Sequence, residues 1–225
     1  MKKISKKVLF MGRNNDPFSK KIINILKKKF KFLSIYLSTH SKDKPNKKIL
    51  NWKGDLIICF RSHFILNAMF IKKAKIGAIN FHPGPPQYRG IGCINFALNN
   101  LENYYGATAH LIEKKVDSGK ILNLKLFKIS KNSTIDKILK KTYEVQIKQF
   151  NELITKLIKE NYDFKKFNQK YSWSSKLYLR KDLEKLYKID KHINKKELIK
   201  RVRATNTKKY KPYIMVHGYK FVLNI

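Results

Sequence analysis

The chain has 225 residues, a length that fits one large domain, or one domain with a small appendage, and allows a sizeable hydrophobic core. Apolar residues make up 43% of the chain and aromatic residues 12%, a composition that excludes an intrinsically disordered protein. No run of about 18 apolar residues is present, so no transmembrane helix is expected. The apolar stretch Val8 to Met11 is too short for a secretory signal and predicts a first strand.

Positive charge dominates the composition, because 51 lysines and arginines face 15 acidic residues and give a formal net charge of +36. Such an excess is typical of proteins that bind nucleic acid or a membrane surface, or of a lysine-rich composition spread over every helix. The lysines recur from Lys2 to Lys220 without one dense patch, which favours the second interpretation. Cys59 and Cys93 lack metal-site spacing and indicate free thiols, which predicts a reducing, cytoplasmic location.

The first third of the chain alternates apolar runs with a lysine-rich helical pattern. The predicted strands cover 6–12, Phe32–Leu37 and Asp55–Phe60, and the predicted helix buries Ile22, Ile23, Leu26 and Phe30. The third run is almost entirely apolar, as in a parallel sheet covered on both faces. The order of elements predicts an α/β fold with a mostly parallel, doubly wound sheet. The loop at 13–19 lacks the Gly-x-Gly-x-x-Gly and Walker patterns, so no dinucleotide or P-loop site is predicted there.

A short helix or turn over 64–74 leads to a fourth strand, Ile76–Phe81, which carries polar residues at its end. Asn80 and His82 are two residues apart, so both side chains point to the same side of a strand. The prolines of 83–86 stop the strand at once, since proline cannot donate to a ladder. Ligands of open α/β sheets bind at such carboxyl ends of strands.

A second strand, Gly106–Glu113, runs into a turn at 116–119 that contains Asp117. If the two strand ends lie together, Asn80, His82 and Asp117 form an amide, imidazole and carboxylate cluster. Such a cluster suits acyl transfer to an amine, because the imidazole moves a proton, the carboxylate orients it and the amide donates to an oxyanion. His110, on the second strand, is interpreted as a core or surface histidine.

The remaining chain predicts two regions, a catalytic domain over 1–160 and an extension over 161–225. The predicted elements are helices at Cys93–Leu98, 133–160 and Asp190–Arg203, a strand at Ile121–Ile129, and a hairpin of Tyr213–Val216 and Tyr219–Leu223. The extension is aromatic and basic. Its hairpin has an exposed edge through which a homodimer is expected.

Three segments in this order resemble the formyltransferases that use 10-formyltetrahydrofolate. They are Asn80-Phe81-His82-Pro83, Tyr88-Arg89-Gly90 and Val116-Asp117-Ser118-Gly119. The resemblance covers Asp55 to Leu122 well and implies a Rossmann-like formyltransferase core. It also implies 10-formyltetrahydrofolate as co-substrate, no metal, and catalysis by Asn80, His82 and Asp117.

The same resemblance implies a folate pocket with two walls. One wall is Phe64, Ile65 and Leu66, and the other runs from Ile112 to Val116. An ordinary helix entry with core isoleucine and leucine also explains the first wall, and the two interpretations are compatible.

The acceptor implied by the resemblance is a nucleotide-linked amino sugar, because the Pro-Gly-Pro loop and the hairpin tail are similar to sugar N-formyltransferases. dTDP-4-amino-4,6-dideoxyglucose is the favoured substrate, in a lipopolysaccharide O-antigen pathway, with contacts from Pro85, Tyr88, Arg89 and Trp173. Arg89 also suits a brace for its own loop, and Trp173 also suits a pin for the tail. The alternatives are a phosphoribosylglycinamide formyltransferase-like enzyme and a basic nucleic-acid-binding protein on the same scaffold.

Overall fold

The computed structural model describes residues 3–167, 170–207 and 210–224. The strands in this part of the chain are β1 (Ile4–Arg13), β2 (Phe30–Ser38), β3 (Gly54–Phe60), β4 (Ala74–His82), β5 (Arg89–Gly90), β6 (Tyr104–Leu111), β7 (Ile121–Lys128), β8 (Leu177–Tyr178), β9 (Lys188–Ile189), β10 (Tyr213–Val216) and β11 (Tyr219–Val222). The helices are α1 (Pro17–Lys29), α2 (Lys47–Leu50), α3 (Ala68–Ile71), α4 (Cys93–Asn99), α5 (Ile135–Lys159), α6 (Arg180–Tyr187) and α7 (Lys195–Thr205).

The main sheet has six strands in the order β2-β1-β3-β4-β6-β7. The pairs β1–β2, β1–β3 and β3–β4 are parallel, and β4–β6 is antiparallel. The predicted α/β fold with a mostly parallel, Rossmann-like sheet is therefore confirmed.

The chain divides into two compact units. Unit 1 comprises residues 1–82, 107–125 and 143–172, and unit 2 comprises residues 83–106, 126–142 and 173–225. Segments from the middle of the chain group with the tail in unit 2, and the predicted division into a catalytic domain over 1–160 and an extension over 161–225 stays a prediction.

Unit 1 has a hydrophobic core on each face of its sheet, which explains why residues 8–11 of β1 and 56–60 of β3 are all apolar. In β1, Val8 and Phe10 belong to one core, whereas Leu9 and Met11 belong to the other. Successive side chains of a strand point to opposite faces, so a strand covered on both sides cannot show a hydrophobic–polar alternation.

The N-cap residue of α1 is also a member of a buried ion pair. Asp16 is the N-cap, and its Oδ2 accepts from the Ser19 backbone N–H at 2.7 Å. Its Oδ1 pairs with the Arg61 guanidinium at 2.9 Å, and the side chains are only 5% and 12% exposed. The guanidinium also stacks on Tyr143, 3.6 Å from the ring centroid. The carboxylate thus occupies the helix end where a bound anion would otherwise be stabilised.

Two buried glutamines of α5 reach the main sheet. Gln146 Nε2 donates to the Phe81 carbonyl at 2.9 Å, and Gln149 Nε2 donates to the Ala107 carbonyl at 3.0 Å. Both residues are fully buried. The Gln146 bond holds the main chain between Asn80 and His82, so α5 supports the strand end that carries these two residues.

Unit 2 contains α4, α6 and α7, the pair β5–β8 and a second sheet in the order β11-β10-β9. Its core includes Phe96, Leu98, Leu183 and Ala204. The predicted hairpin is present and its second strand ends at Val222, one residue earlier than predicted. Helix α6 was missed by the sequence analysis. Among the described residues, no helix is long and apolar enough to span a membrane.

Candidate active site

Strand β4 places Asn80 and His82 on one side of the sheet. Ile79 and Phe81 lie in one hydrophobic core, and Ala78 lies in the opposite one, so Asn80 and His82 share the face of Ala78. His82 is 3% exposed. This confirms the predicted same-side arrangement at the end of the strand.

The turn after β6 brings Asp117 to His82. Asp117 has φ +45°, a left-handed conformation that is uncommon for residues other than glycine. Its Oδ2 lies 3.3 Å from His82 Nδ1. The side chains are 8% and 4% exposed, so the pair is shielded from water. The carboxylate therefore orients the imidazole through Nδ1.

His110 completes a buried network that the sequence analysis missed. Its Nε2 lies 3.4 Å from Asp117 Oδ1 and 3.1 Å from Asn80 Nδ2, while its Nδ1 lies 2.7 Å from the Leu111 carbonyl. A carbonyl only accepts, so Nδ1 carries a proton. The Asn80 amide nitrogen only donates, so Nε2 accepts from it. His110 is 2% exposed, as a core histidine would be, but it also contacts two predicted catalytic residues.

The only sequence signal for a role of His110 in the site was its place on the strand that leads to Asp117. Asn80 and His110 are direct partners in the β4–β6 register. Antiparallel pairing of these strands cannot be read from either segment alone, so the role became visible only with the sheet order.

A cavity of about 160 Å³ in unit 1 opens beside this network. Its lining includes all the predicted folate-pocket residues, Phe64, Ile65, Leu66, Ile112 and Val116. Asn80, His110 and Asp117 line it as well. The cavity therefore has apolar walls and a polar catalytic end, a combination that suits a flat aromatic ligand with a reactive polar group.

Cys59 also lines this cavity, beside Asn80 in the β3–β4 register. Burial raises the pKa of its thiol to about 12. The thiolate is the nucleophilic form of cysteine, so this thiol is inert at neutral pH. The site therefore favours direct acyl transfer over a thioester on Cys59. Within the described ranges, no three His, Cys, Asp or Glu side chains are arranged to hold a metal ion.

The predicted acceptor-binding residues all lie in unit 2. Tyr88 is 3% exposed and its hydroxyl donates to Glu102 at 2.7 Å, which indicates packing and leaves little surface for a ligand. Arg89 Nη1 donates to the Ser174 carbonyl at 2.9 Å, the bracing role that the sequence also suggested. Pro85 is buried and Trp173 is half-buried. Contacts of these residues with an acceptor stay a prediction.

Gly119 fixes the turn that carries Asp117. A Cβ at this position would overlap the Leu111 carbonyl oxygen, which is main chain and cannot move aside cheaply. We expect Gly119→Ala to displace Asp117 and lower turnover at least tenfold, because misplaced catalytic groups lose large rate factors. Steady-state rates and a denaturant unfolding curve measure the two effects.

Gly218→Ala is the control. It lies in the hairpin turn at φ +85° with no atom within 4 Å of an added Cβ. The change is expected to cost about 1–2 kcal/mol of backbone strain and leave turnover unchanged. Full turnover in Gly119→Ala would contradict the positioning role.

Comparison with known protein families gives a match over more than half of the chain. A family model described as "Formyl transferase" matches residues 6–154. The bifunctional polymyxin resistance protein ArnA of Wigglesworthia glossinidia brevipalpis is 32% identical over 108 residues, 48% of this chain and 16% of that protein. The GDP-perosamine N-formyltransferase of Brucella melitensis is 27% identical over 108 residues, 48% of this chain and 42% of its own. The chain thus spans less than half the length of these curated relatives.

Solved structures show the same fold over nearly the whole chain. A 4-N formyltransferase from Francisella tularensis is 21% identical, with a TM-score of 0.81, and the match covers 98% of this chain and 97% of that one. The N-formyltransferase of Helicobacter canadensis, in complex with folinic acid and dTDP-3-aminofucose, is 20% identical with a TM-score of 0.73. That match covers 94% of this chain and 84% of that one.

Proposed function

Because the chain belongs to the formyl transferase family, we propose that it transfers a formyl group from 10-formyltetrahydrofolate to the amine of a nucleotide-linked amino-dideoxy sugar. The observation that carries the proposal is a buried chain of contacts beside an apolar cavity, in which Asp117 contacts both His82 and His110, and His110 contacts Asn80. This set supplies a proton carrier, its orienting carboxylate and an amide donor, which are the groups that acyl transfer to an amine needs.

The reaction is a direct exchange. The sugar amine attacks the formyl carbon, and the carbonyl oxygen becomes an oxyanion that the Asn80 amide and protonated His82 stabilise. The bond from the formyl carbon to N10 then breaks, and the proton lost by the amine passes through His82 to N10. The products are a formamide and tetrahydrofolate. Asp117 holds His82 Nδ1 throughout and balances the imidazolium charge.

The cavity of unit 1 supports 10-formyltetrahydrofolate as the formyl donor. Phe64 and Ile112 both line it and offer apolar contact for a pterin ring, and Asn80 and Asp117 line it as well. Folinic acid is bound in the Helicobacter canadensis enzyme, which has the same fold. When bound, the co-substrate supplies the activated formyl group, and the residues of this chain bind and orient it.

The acceptor class is supported by relatives that act on sugars. The Brucella melitensis relative is a GDP-perosamine N-formyltransferase, and the Helicobacter canadensis structure contains dTDP-3-aminofucose. Among such compounds we favour dTDP-4-amino-4,6-dideoxyglucose, which carries its amine at C4. The Francisella tularensis structure that matches this chain over nearly the full length of both is a 4-N formyltransferase.

A panel experiment tests this proposal. The purified protein is incubated with 10-formyltetrahydrofolate and one acceptor at a time: dTDP- and GDP-linked 4-amino and 3-amino sugars, or phosphoribosyl glycinamide. Mass spectrometry then detects the mass of one formyl group. We expect formylation of a dTDP-linked 4-amino sugar. Formylation of phosphoribosyl glycinamide alone, or of no acceptor, would overturn the sugar assignment.

We also propose that two copies associate through the C-terminal hairpin. Strand β11 pairs only with β10 among the described strands, and Tyr219, Phe221 and Val222 are more than half exposed on it. A second β11 in antiparallel pairing would continue the sheet and bring these side chains into cross-strand contact with their counterparts. Sedimentation velocity should give a dimer, and Phe221→Lys should give monomers. A monomer for the unaltered protein would reject this association.

A further inference from the structure

The segment that forms one wall of the cavity beside the catalytic network begins after a residue with an uncommon backbone conformation. This segment, residues 62–66, follows β3 and contributes to the lining through Ser62, Phe64, Ile65 and Leu66. Arg61 joins it to β3 and has φ +57°, a left-handed conformation that few residues other than glycine adopt. Such a conformation persists only where the surrounding structure holds it in place.

The side chain of Arg61 supplies that hold. Its guanidinium pairs with Asp16 at 2.9 Å and stacks on Tyr143, 3.6 Å from the ring centroid. The Phe18 ring centroid lies 5.7 Å from the same group. Asp16 caps α1 and Tyr143 belongs to α5, so two helices fix one side chain at the end of β3.

Arg61 connects the two faces of the sheet. Phe18 packs against the core that contains Phe150, whereas Leu66 belongs to the core on the opposite face and Phe64 packs against it. The guanidinium is therefore held on one face, and the cavity wall lies on the other. The main chain crosses the carboxyl edge of the sheet at Arg61, so a shift of this residue moves the start of the wall.

The middle of the wall is fixed separately, by β2. The His63 N–H donates to Ser38 Oγ at 3.1 Å. Phe64 packs edge-on against Tyr36, with 6.1 Å between the ring centroids. These contacts hold the segment on its β2 side, and the contacts of Arg61 hold the end that leaves β3.

We propose that the Asp16–Arg61 pair positions the cavity wall of residues 62–66 for the formyl donor. That the donor is the ligand of this cavity rests on the proposed function. Both residues act through the wall, so they set the affinity for the donor. Proton transfer is left to Asn80 and His82, which lie on β4.

Folinic acid, the 5-formyl isomer of the donor, is the probe, and its binding requires no acceptor. Isothermal titration compares the unaltered full-length protein with Asp16→Asn, Arg61→Ala and Arg61→Gly. We expect Asp16→Asn and Arg61→Ala to weaken binding about tenfold, because a displaced wall loses its contacts with the ligand. Arg61→Gly should weaken it only about threefold, since glycine adopts the left-handed conformation without strain.

Leu26→Ala is the matched control for stability. Leu26 is a fully buried residue of α1 in the core opposite the wall, so its truncation destabilises the chain by leaving a void. It should leave the affinity for folinic acid unchanged, with all variants shown to be folded by circular dichroism. Unchanged affinity in Asp16→Asn and both Arg61 variants would overturn the proposal. An equal loss in Leu26→Ala, or absence of binding by the unaltered protein, would do the same.

Kinetics separate this role from the proposed function. Asp16→Asn should raise the KM for 10-formyltetrahydrofolate about tenfold and keep kcat within about twofold. Weaker folinic acid binding in the variants, without formylation of any nucleotide sugar by the unaltered protein, would support the positioning role and refute the acceptor. Formylation of a nucleotide sugar with an unchanged donor KM in Asp16→Asn would refute the positioning role and leave the acceptor standing.

Discussion

Replacing His82 with asparagine is expected to lower kcat for formyl transfer by about 10²–10⁴-fold, the range of a lost acid–base group. Asparagine keeps a donor toward Asp117 Oδ2, which lies 3.3 Å from His82 Nδ1, so the buried carboxylate retains a partner. It has no group that carries a proton at neutral pH. Initial rates of tetrahydrofolate release in the presence of the acceptor measure the loss.

The comparison variants separate chemistry from folding. Asp117→Asn should lower kcat by a similar factor, because the imidazolium then loses its balancing charge. His192→Asn changes an exposed histidine in unit 2 and should leave kcat unchanged. Unfolding midpoints of all three variants should lie close to that of the unaltered protein. A near-normal rate for purified His82→Asn would remove His82 from the mechanism.

Replacing Asp16 with asparagine is expected to lower the free energy of unfolding by about 3–5 kcal/mol. Asparagine still caps α1, but it leaves the Arg61 guanidinium, 12% exposed, without its counterion. Burial already lowers the pKa of Arg61, which indicates that the protein interior disfavours this charge. Urea unfolding followed by circular dichroism measures the change.

A second substitution tests the cause. Asp16→Asn combined with Arg61→Met should recover part of the loss, because no unpaired charge remains buried. Glu152→Gln breaks the surface pair of Glu152 with Lys125, whose side chains are 53% and 37% exposed. That change should cost less than about 1 kcal/mol. A loss in Asp16→Asn as small as that of Glu152→Gln would show that the buried pair is not a major support of α1.

The sheet could be predicted from the sequence because two-sided burial leaves an unmistakable pattern. Residues 56–60 of β3 are all apolar, β4 is interrupted by polar residues only at Lys75, Asn80 and His82, and proline stops β4 directly after His82. The turn with Asp117 was equally readable, since a short polar segment with two small residues follows a strand. The sequence analysis therefore found the segments whose structure is determined by their own residues.

Features that depend on a distant partner were missed. Helix α6 has eight residues, too few for a helical period to stand out from a lysine-rich background. Gln146 lies among lysines and resembles a surface residue, yet its amide bonds the Phe81 carbonyl. His110 acquires its role only because the β4–β6 register sets it opposite Asn80. None of these contacts has a local signature.

The contact between His110 and Asn80 fixes the direction in which the amide faces. The His110 imidazole turns Nδ1 to the Leu111 carbonyl and Nε2 to the Asn80 amide, so the NH₂ end of that amide faces β6. The first hydrogen of the NH₂ is then held by the ring, and the second remains for a carbonyl oxygen. A side chain of the neighbouring strand thus aims the oxyanion donor, and the main chain of β4 has no part in setting that aim.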